Sequence, residues 1–243
     1  MPAVTPGPLP APAVPPPPTG QVRVPYAATG GPVTLLSAPI PAPSREALPL
    51  LAEAELLDSP VEWGAVDTPV GVFRLVPVRL ARDLGLLGRW MNDPAVDAFW
   101  ELAGPEEVTA AHVRGQVTGD GHSVPCLGLL DGVPMSYWEV YRADLEPLAA
   151  HYPARPHDCG IHVLIGDGAD RGRGLGTALI RAVADLVLDH RPRCERVIAE
   201  PDVRNGASVG AFLGAGFRRA GELELPEKRA ALMIRDRSLR GLL

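Results

Sequence analysis

The amino-acid sequence predicts an α/β domain: a central mixed β-sheet flanked by helices, with an N-terminal arm in front of it. Three observations carry this. An apolar run, Ile161 to Gly166, leads into a glycine-rich turn and then into Thr177 to Leu188, whose apolar positions recur at helical spacing. Two strand-like runs, Val124 to Leu130 and Pro134 to Tyr141, are joined by Asp131-Gly132, a dipeptide suited to a two-residue hairpin turn. Strand-like and helix-like stretches then alternate to the end of the chain, without an internal repeat.

Nine of the first twenty residues are proline. Such a composition cannot bury enough apolar surface to fold, so residues 1–20 are expected to form a disordered or polyproline-II tail. Residues 21–70 form the expected arm, with strand-like pieces at Val22 to Tyr26 and Pro32 to Leu36 and a helical piece at Ser44 to Leu57. The main domain is expected over 71–243. Val72 to Val78 alternates as a strand, and Ala81 to Met91, Pro94 to Leu102 and Glu106 to Val117 read as short helices. After the hairpin come a helical Leu145 to Tyr152, a strand Cys159 to Gly166, the glycine turn and its helix. The order closes with strand Arg196 to Ala199, helix Ala207 to Gly214, and strands Arg219 to Leu225 and Ala230 to Arg235.

Composition narrows the function. The chain has 243 residues, 46% hydrophobic and 21% charged, the balance of a globular protein. No apolar stretch reaches the roughly 20 residues of a membrane-spanning helix, and the N-terminus has neither the basic start nor the compact apolar stretch of a signal peptide. A cytoplasmic protein is the expectation. Cys126, Cys159 and Cys194 are odd in number and scattered, as in a protein of reduced thiols. A net charge of −6 disfavours nucleic acid as a partner.

The segment Arg171-Gly172-Arg173-Gly174-Leu175-Gly176, followed by Thr177, is built to hold phosphate. Its glycines let successive N–H groups converge, and the positive end of the following helix adds to them. Gly-Lys-Ser/Thr, which a Walker loop needs, does not occur, and a dinucleotide fingerprint would want glycine where Thr177 stands. The remaining pattern, Arg/Gln-x-x-Gly-x-Gly/Ala, resembles the acyl-coenzyme A pyrophosphate loop of the GNAT acyltransferases.

The neighbouring motifs make the resemblance narrower. Trp90-Met-Asn-Asp-Pro94, Phe99-Trp100-Glu101, His122-Ser-Val-Pro125, Tyr137-Trp-Glu-Val-Tyr141, Asp158-Cys-Gly-Ile-His162, Glu200-Pro201, Asn205 and Gly214-Ala-Gly-Phe217 occur in this order. Over residues 72 to 237 the series is similar to the GNAT branch that acylates amines in siderophore biosynthesis, the aerobactin-, rhizobactin- and mycobactin-type enzymes. The resemblance implies a GNAT fold, an acyl-coenzyme A co-substrate with no metal, a small-molecule amine as acceptor, and siderophore-pathway enzymes as partners.

Amide formation from a thioester requires that an amine be positioned and deprotonated and that the oxyanion be stabilised. The resemblance makes Asp158 the base and His122 the residue that works with it facing the acceptor. Trp138 and Glu139 alternate across one strand, so one of them is expected to line the acceptor pocket, with Trp100 beside it. Trp90 and Trp100 otherwise suit the core. Backbone groups of Val163, Leu164 and Ile165 are expected to hold the thioester carbonyl, and Arg171 to Thr177, with Asn205, the rest of coenzyme A.

Other patterns are weaker. Gly206-Ala-Ser208-Val-Gly210 has nucleophile-elbow spacing, but no histidine follows His190. Cys159 and His162 form one C-x-x-H pair without a second pair at zinc spacing. A covalent acyl-cysteine at Cys126 or Cys159 is less direct than attack on a thioester that is already activated. An aminoglycoside 6'-N-acetyltransferase and a non-catalytic coenzyme A sensing module are the alternative readings.

Overall fold

The computed structural model describes residues 60–119 and 121–242. The proline tail, the arm pieces at Val22 to Tyr26 and Pro32 to Leu36, and the helical Ser44 to Leu57 lie outside the described residues. Among the described residues eight strands form one sheet in the order β1-β2-β3-β4-β5-β6-β8-β7. They are β1 (Ala65–Thr68), β2 (Gly71–Pro77), β3 (Ser123–Leu130), β4 (Val133–Arg142), β5 (Cys159–Ile165), β6 (Arg196–Ala199), β7 (Arg218–Glu224) and β8 (Arg229–Asp236). Every neighbouring pair is antiparallel except β5 and β6. The sheet starts at Ala65, ahead of the domain boundary at residue 71 that the sequence predicts.

Five α-helices among the described residues cover the sheet: α1 (Leu80–Met91), α2 (Pro94–Trp100), α3 (Glu106–Val117), α4 (Leu175–His190) and α5 (Gly206–Gly214). Leu179, Ile180, Val183, Ala184 and Val187 of α4 pack with Trp138, Val140 and Ile161 against one face. On the other face α1, α2 and α3 bring Leu87, Trp90, Val96 and Val113 against Leu127, Tyr137 and Leu164. Asp93 caps α2, accepting from Ala95 N–H at 2.8 Å, with Pro94 in the first turn, where its missing N–H costs nothing. The helix stops at Glu101, which adopts φ 53°.

The hairpin forms at the predicted dipeptide. Asp131 and Gly132 have φ 49° and 82°, the left-handed pair of a type I′ turn, and Asp131 Oδ1 also accepts from Val72 N–H at 2.9 Å. The predicted helix over Leu145 to Tyr152 shrinks to a 3₁₀ turn, Pro147–Ala150. Pro147 lacks an N–H to continue a helix from Leu145, and the segment instead lays Leu148 and Tyr152 over Ile198, Leu232 and Ile234. No described helix is long and apolar enough to cross a membrane.

Candidate active site

The parallel strands β5 and β6 are paired only at Cys159–Val197 and Gly160–Ile198. Beyond Gly160 that edge of β5 has no strand partner. On its other edge, Gly166 N–H donates to Met135 O at 2.8 Å and Ala143 N–H to Asp158 O at 2.9 Å. Bonded and non-bonded pairs alternate along an antiparallel ladder. The N–H groups of Val163 and Ile165 therefore point away from β4, into the gap. That of Leu164, opposite Tyr137, is committed to β4, so the sequence expectation for its backbone is not met.

The gap leads to the glycine loop. Gly172 and Gly174 adopt φ 72° and 78°, which an L side chain resists. Gly174 caps α4 without a side-chain bond, and the first helical bond is Ala178 N–H to Gly174 O at 3.3 Å. Leu175, Gly176 and Thr177 thus start the helix with N–H groups that have no intrahelical acceptor, at the positive end of its dipole. Arg171 acts as a stitch: its Nε donates to Ile165 O at 3.0 Å, another nitrogen bonds Gly166 O, and the guanidinium pairs with Asp93 Oδ2 at 3.0 Å. Arg173 is 63% exposed beside Asp170. Asn205 caps α5, its side chain accepting from Ser208 N–H at 3.0 Å.

On the α1–α3 face of β5, His162 lies between two buried carboxylates. Its Nδ1 is 2.8 Å from Glu139 Oε2 on β4, its cross-strand partner, and its Nε2 bonds Glu200 Oε1 just past β6. Glu139 Oε1 also receives Tyr137 OH at 2.9 Å and Gln116 Nε2 at 2.6 Å, and lies 2.6 Å from His112 Nε2. Glu200 Oε2 receives Tyr141 OH at 2.8 Å, with Lys228 Nζ 3.7 Å from Oε1. Trp100, at the end of α2, sets its ring edge-on to His162, His112 and Tyr137. Both glutamate side chains are 7% exposed and that of His162 is 36%, so the imidazole is the member of the cluster with surface.

Burial opposes a charge on His162, but Glu200 and Glu139 outweigh it and raise the imidazole to about 10. Burial likewise opposes ionisation of Glu139, where His112 and His162 prevail and hold it well below the usual range. Glu200 is brought to about 2 by His162, Lys228 and Tyr141 against the same burial penalty. Burial and the Glu139 and Glu200 charges push the Tyr137 and Tyr141 hydroxyls well above their ordinary value. At neutral pH the cluster is an imidazolium clamped between carboxylates.

Residues 79–225 match the acetyltransferase (GNAT) domain. The chain belongs to the GNAT acetyltransferase family. Among curated GNAT relatives, N(6)-hydroxylysine O-acetyltransferase of Escherichia coli is 34% identical over 68% of this chain and 53% of its own length. The chain thus spans about half of that relative. Lysine N-acyltransferase MbtK of Mycolicibacterium paratuberculosis is 35% identical over 65% of this chain and 72% of its own. Of solved structures, an uncharacterised protein from Bacillus halodurans superposes with a TM-score of 0.69 at 32% identity, covering 73% of this chain and 91% of that one. The aminoglycoside acetyltransferase AAC(6')-Ib with coenzyme A superposes with a TM-score of 0.59 at 23% identity, covering 68% and 95%. At that identity it shows the fold alone.

Within this GNAT domain the expected site residues separate. Asp158 is fully buried; its carboxylate binds Arg196 through two nitrogens and also accepts from Tyr152 OH at 3.1 Å and Arg155 N–H at 2.9 Å. No surface is left for an incoming amine. His122, at the mouth of β3, lies 3.2 Å from Glu146 Oε1, with β4 between it and Asp158. Trp138, expected as a pocket wall, is entirely buried against Phe73 with its Nε1–H on Ser136 Oγ at 2.8 Å. The pleat that sends Trp138 to the core sends Glu139 to the cluster. Glu139 and Trp100 do meet, around a histidine and a second glutamate, His162 and Glu200, which belong to the sequence motifs but carry no expected role there. The C-x-x-H pair is divided: Cys159 is buried against His157 O, and His162 sits in the cluster. Among the described residues no group of His, Cys, Asp and Glu is placed to hold a metal ion.

Proposed function

We propose that the chain is an acyl-coenzyme A dependent N-acyltransferase that acylates a small amine or N-hydroxylated amine in siderophore assembly. The observation that carries this is the gap between β5 and β6. It presents the outward N–H groups of Val163 and Ile165 to a thioester carbonyl, and at its end the glycine loop offers the N-terminus of α4 to the pyrophosphate. The relatives named for hydroxylysine and lysine acylation support the acceptor class. A coenzyme A thioester donor suits a cytoplasmic location. The acceptor approaches from the Trp100, Glu139 and His162 face, because the opposite face of β5 is packed under α4.

Release of free thiol tests the reading, with acetyl, succinyl and longer acyl donors against lysine, N-hydroxylysine, cadaverine, N-hydroxycadaverine and kanamycin. Turnover is expected with one of the first four acceptors. Turnover confined to kanamycin would replace the acceptor class, and coenzyme A binding without thiol release from any pair would favour a sensing module.

A further inference from the structure

Lysine is almost missing from this chain. Of its 23 lysine and arginine residues only Lys228 is a lysine. A guanidinium stays protonated and offers no lone pair to a thioester, whereas a lysine amine becomes a nucleophile once it gives up a proton. An acyl donor bound to this protein can therefore find only one side-chain amine.

The fold sets that amine at the candidate site. Lys228 closes the turn between β7 and β8, its carbonyl accepting from Leu225 N–H at 2.9 Å. Past Ala199 the chain that leaves β6 stays beside β8: Ala231 N–H donates to Pro201 O at 2.8 Å and Val203 N–H to Arg229 O at 2.9 Å. The register Gly160–Ile198, carried along both chains, sets Val203 level with Ile165, so the start of β8 stands at the wide end of the gap. By alternation Lys228 shares a face with Ala230, Leu232 and Ile234, which pack with Tyr141 and Ile198 on the side of His162 and Glu200. From there its side chain, 29% exposed, runs back to within 3.7 Å of Glu200 Oε1, the oxygen that His162 Nε2 also bonds. It thus passes along the face of the gap from the level of Ile165 toward that of His162, beside Val163 N–H.

We propose that Lys228 is a self-acylation site, which takes the acyl group from coenzyme A bound in the gap when no free amine is present. The inference rests on the acyltransferase reading. Lys228 starts as the ammonium paired with Glu200 and gives one proton to solvent as it leaves the carboxylate. Its Nζ lone pair then forms the C–N bond at the thioester carbonyl and the C–S bond breaks. The departing sulfur takes one of the two protons left on Nζ. The products are an Nζ-acyl amide on Lys228 and free coenzyme A thiol. The modification removes the cation beside Glu200 and leaves an uncharged amide on the side from which the acceptor approaches.

The single lysine makes the test direct. Wild-type protein is incubated with acetyl-coenzyme A and no acceptor, then unfolded and digested with a protease that cleaves only after lysine. Unmodified chain is cut once, after Lys228. The native protein is expected to lose this cut and to carry one acetyl group on the fragment that spans Lys228, by mass. The rate is expected to be first-order and independent of protein concentration, and to fall about tenfold when free coenzyme A is added in tenfold excess over the thioester, by competition for one site. Protein unfolded in urea before the thioester is added should stay cleavable over the same period. Complete cleavage after incubation of native protein, or acetylation that is as fast in the unfolded chain or insensitive to free coenzyme A, overturns the proposal. Thiol release with lysine, N-hydroxylysine or the cadaverines, measured on the same preparation, leaves the acyltransferase reading standing in that case. No thiol release with any acceptor overturns that reading itself.

Discussion

Asp158 and Arg196 face each other across β5 and β6 at the same 38-residue offset that relates His162 to Glu200. Two charged pairs thus lie on one pair of strands, four residues apart along each. The first stands one position before the paired residues and is sealed in; the second stands two positions past the last backbone bridge. The same two strands provide a structural ion pair and an open one, and their separation decides which is which.

Replacing Asp158 is expected to injure the fold first. Asp158→Ala leaves the Arg196 guanidinium buried without its carboxylate, and breaking such a pair costs about 3–5 kcal/mol. At roughly 2–4 °C per kcal/mol for a domain of this size, the melting temperature should fall by roughly 10 °C. Scanning calorimetry of Asp158→Ala beside Asp158→Ala with Arg196→Ala checks this, since the double variant removes the stranded charge and should recover part of the loss. An unchanged melting temperature together with a collapse of kcat would return Asp158 to the role of base.

Gly174→Asp is expected to abolish acetyl-coenzyme A binding. The substitution forces a side chain onto a backbone at φ 78° and adds a negative charge where the pyrophosphate belongs. Gly176→Ala is the control: its Cβ would sit 3.9 Å from Ile165 and 4.0 Å from Ala211, ordinary contacts, so the variant should fold with near-normal affinity. Titration calorimetry on both distinguishes a loop that binds the donor from a plain turn, for which Gly174→Asp would leave affinity intact in a folded protein.

The His162–Glu200 pair should leave a mark on stability against pH. His162 is raised from 6.5 to about 10, so its contribution is complete below about 6.5 and is lost as pH rises through about 10. Glu200 is lowered from 4.5 to about 2, so its contribution is complete above about 4.5 and is lost as pH falls through about 2. The stability difference between wild type and Glu200→Gln should therefore be largest between about pH 4.5 and 6.5 and shrink toward pH 10. Denaturant unfolding across that range reads it; a difference independent of pH would mean that the pair is not ionised as described.

The fold was legible because its signals are local. Asp131-Gly132 specifies its own turn, the spacing of Leu179, Ile180 and Val183 specifies a buried helix face, and the loop glycines mark a backbone that other residues resist. The Leu145 to Tyr152 stretch misled because apolar spacing there reflects packing on β6 and β8, while Pro147 decides the local geometry. The site was only half legible. Glu139 could be assigned a face by alternation, but which face of β4 meets the cleft depends on where α4 packs. Asp158 and His162 read alike as polar residues of one strand, since burial of the first and exposure of the second arise where β6 departs. The one cue lay in the spacing: Asp158 and His162, like Arg196 and Glu200, are four residues apart on strands that turn out to be neighbours.

Arg171 ties three pieces of chain together: the end of β5 through Ile165 and Gly166, the glycine loop that carries it, and the start of α2 through Asp93. Trp100, which walls His162, closes that same short helix. The proposed donor loop and the proposed acceptor wall consequently hang from one guanidinium, like two pans on a single beam. Under the proposed function, a thioester settling on the loop bears, through this one side chain, on the short helix whose last residue stands over the acceptor side of β5.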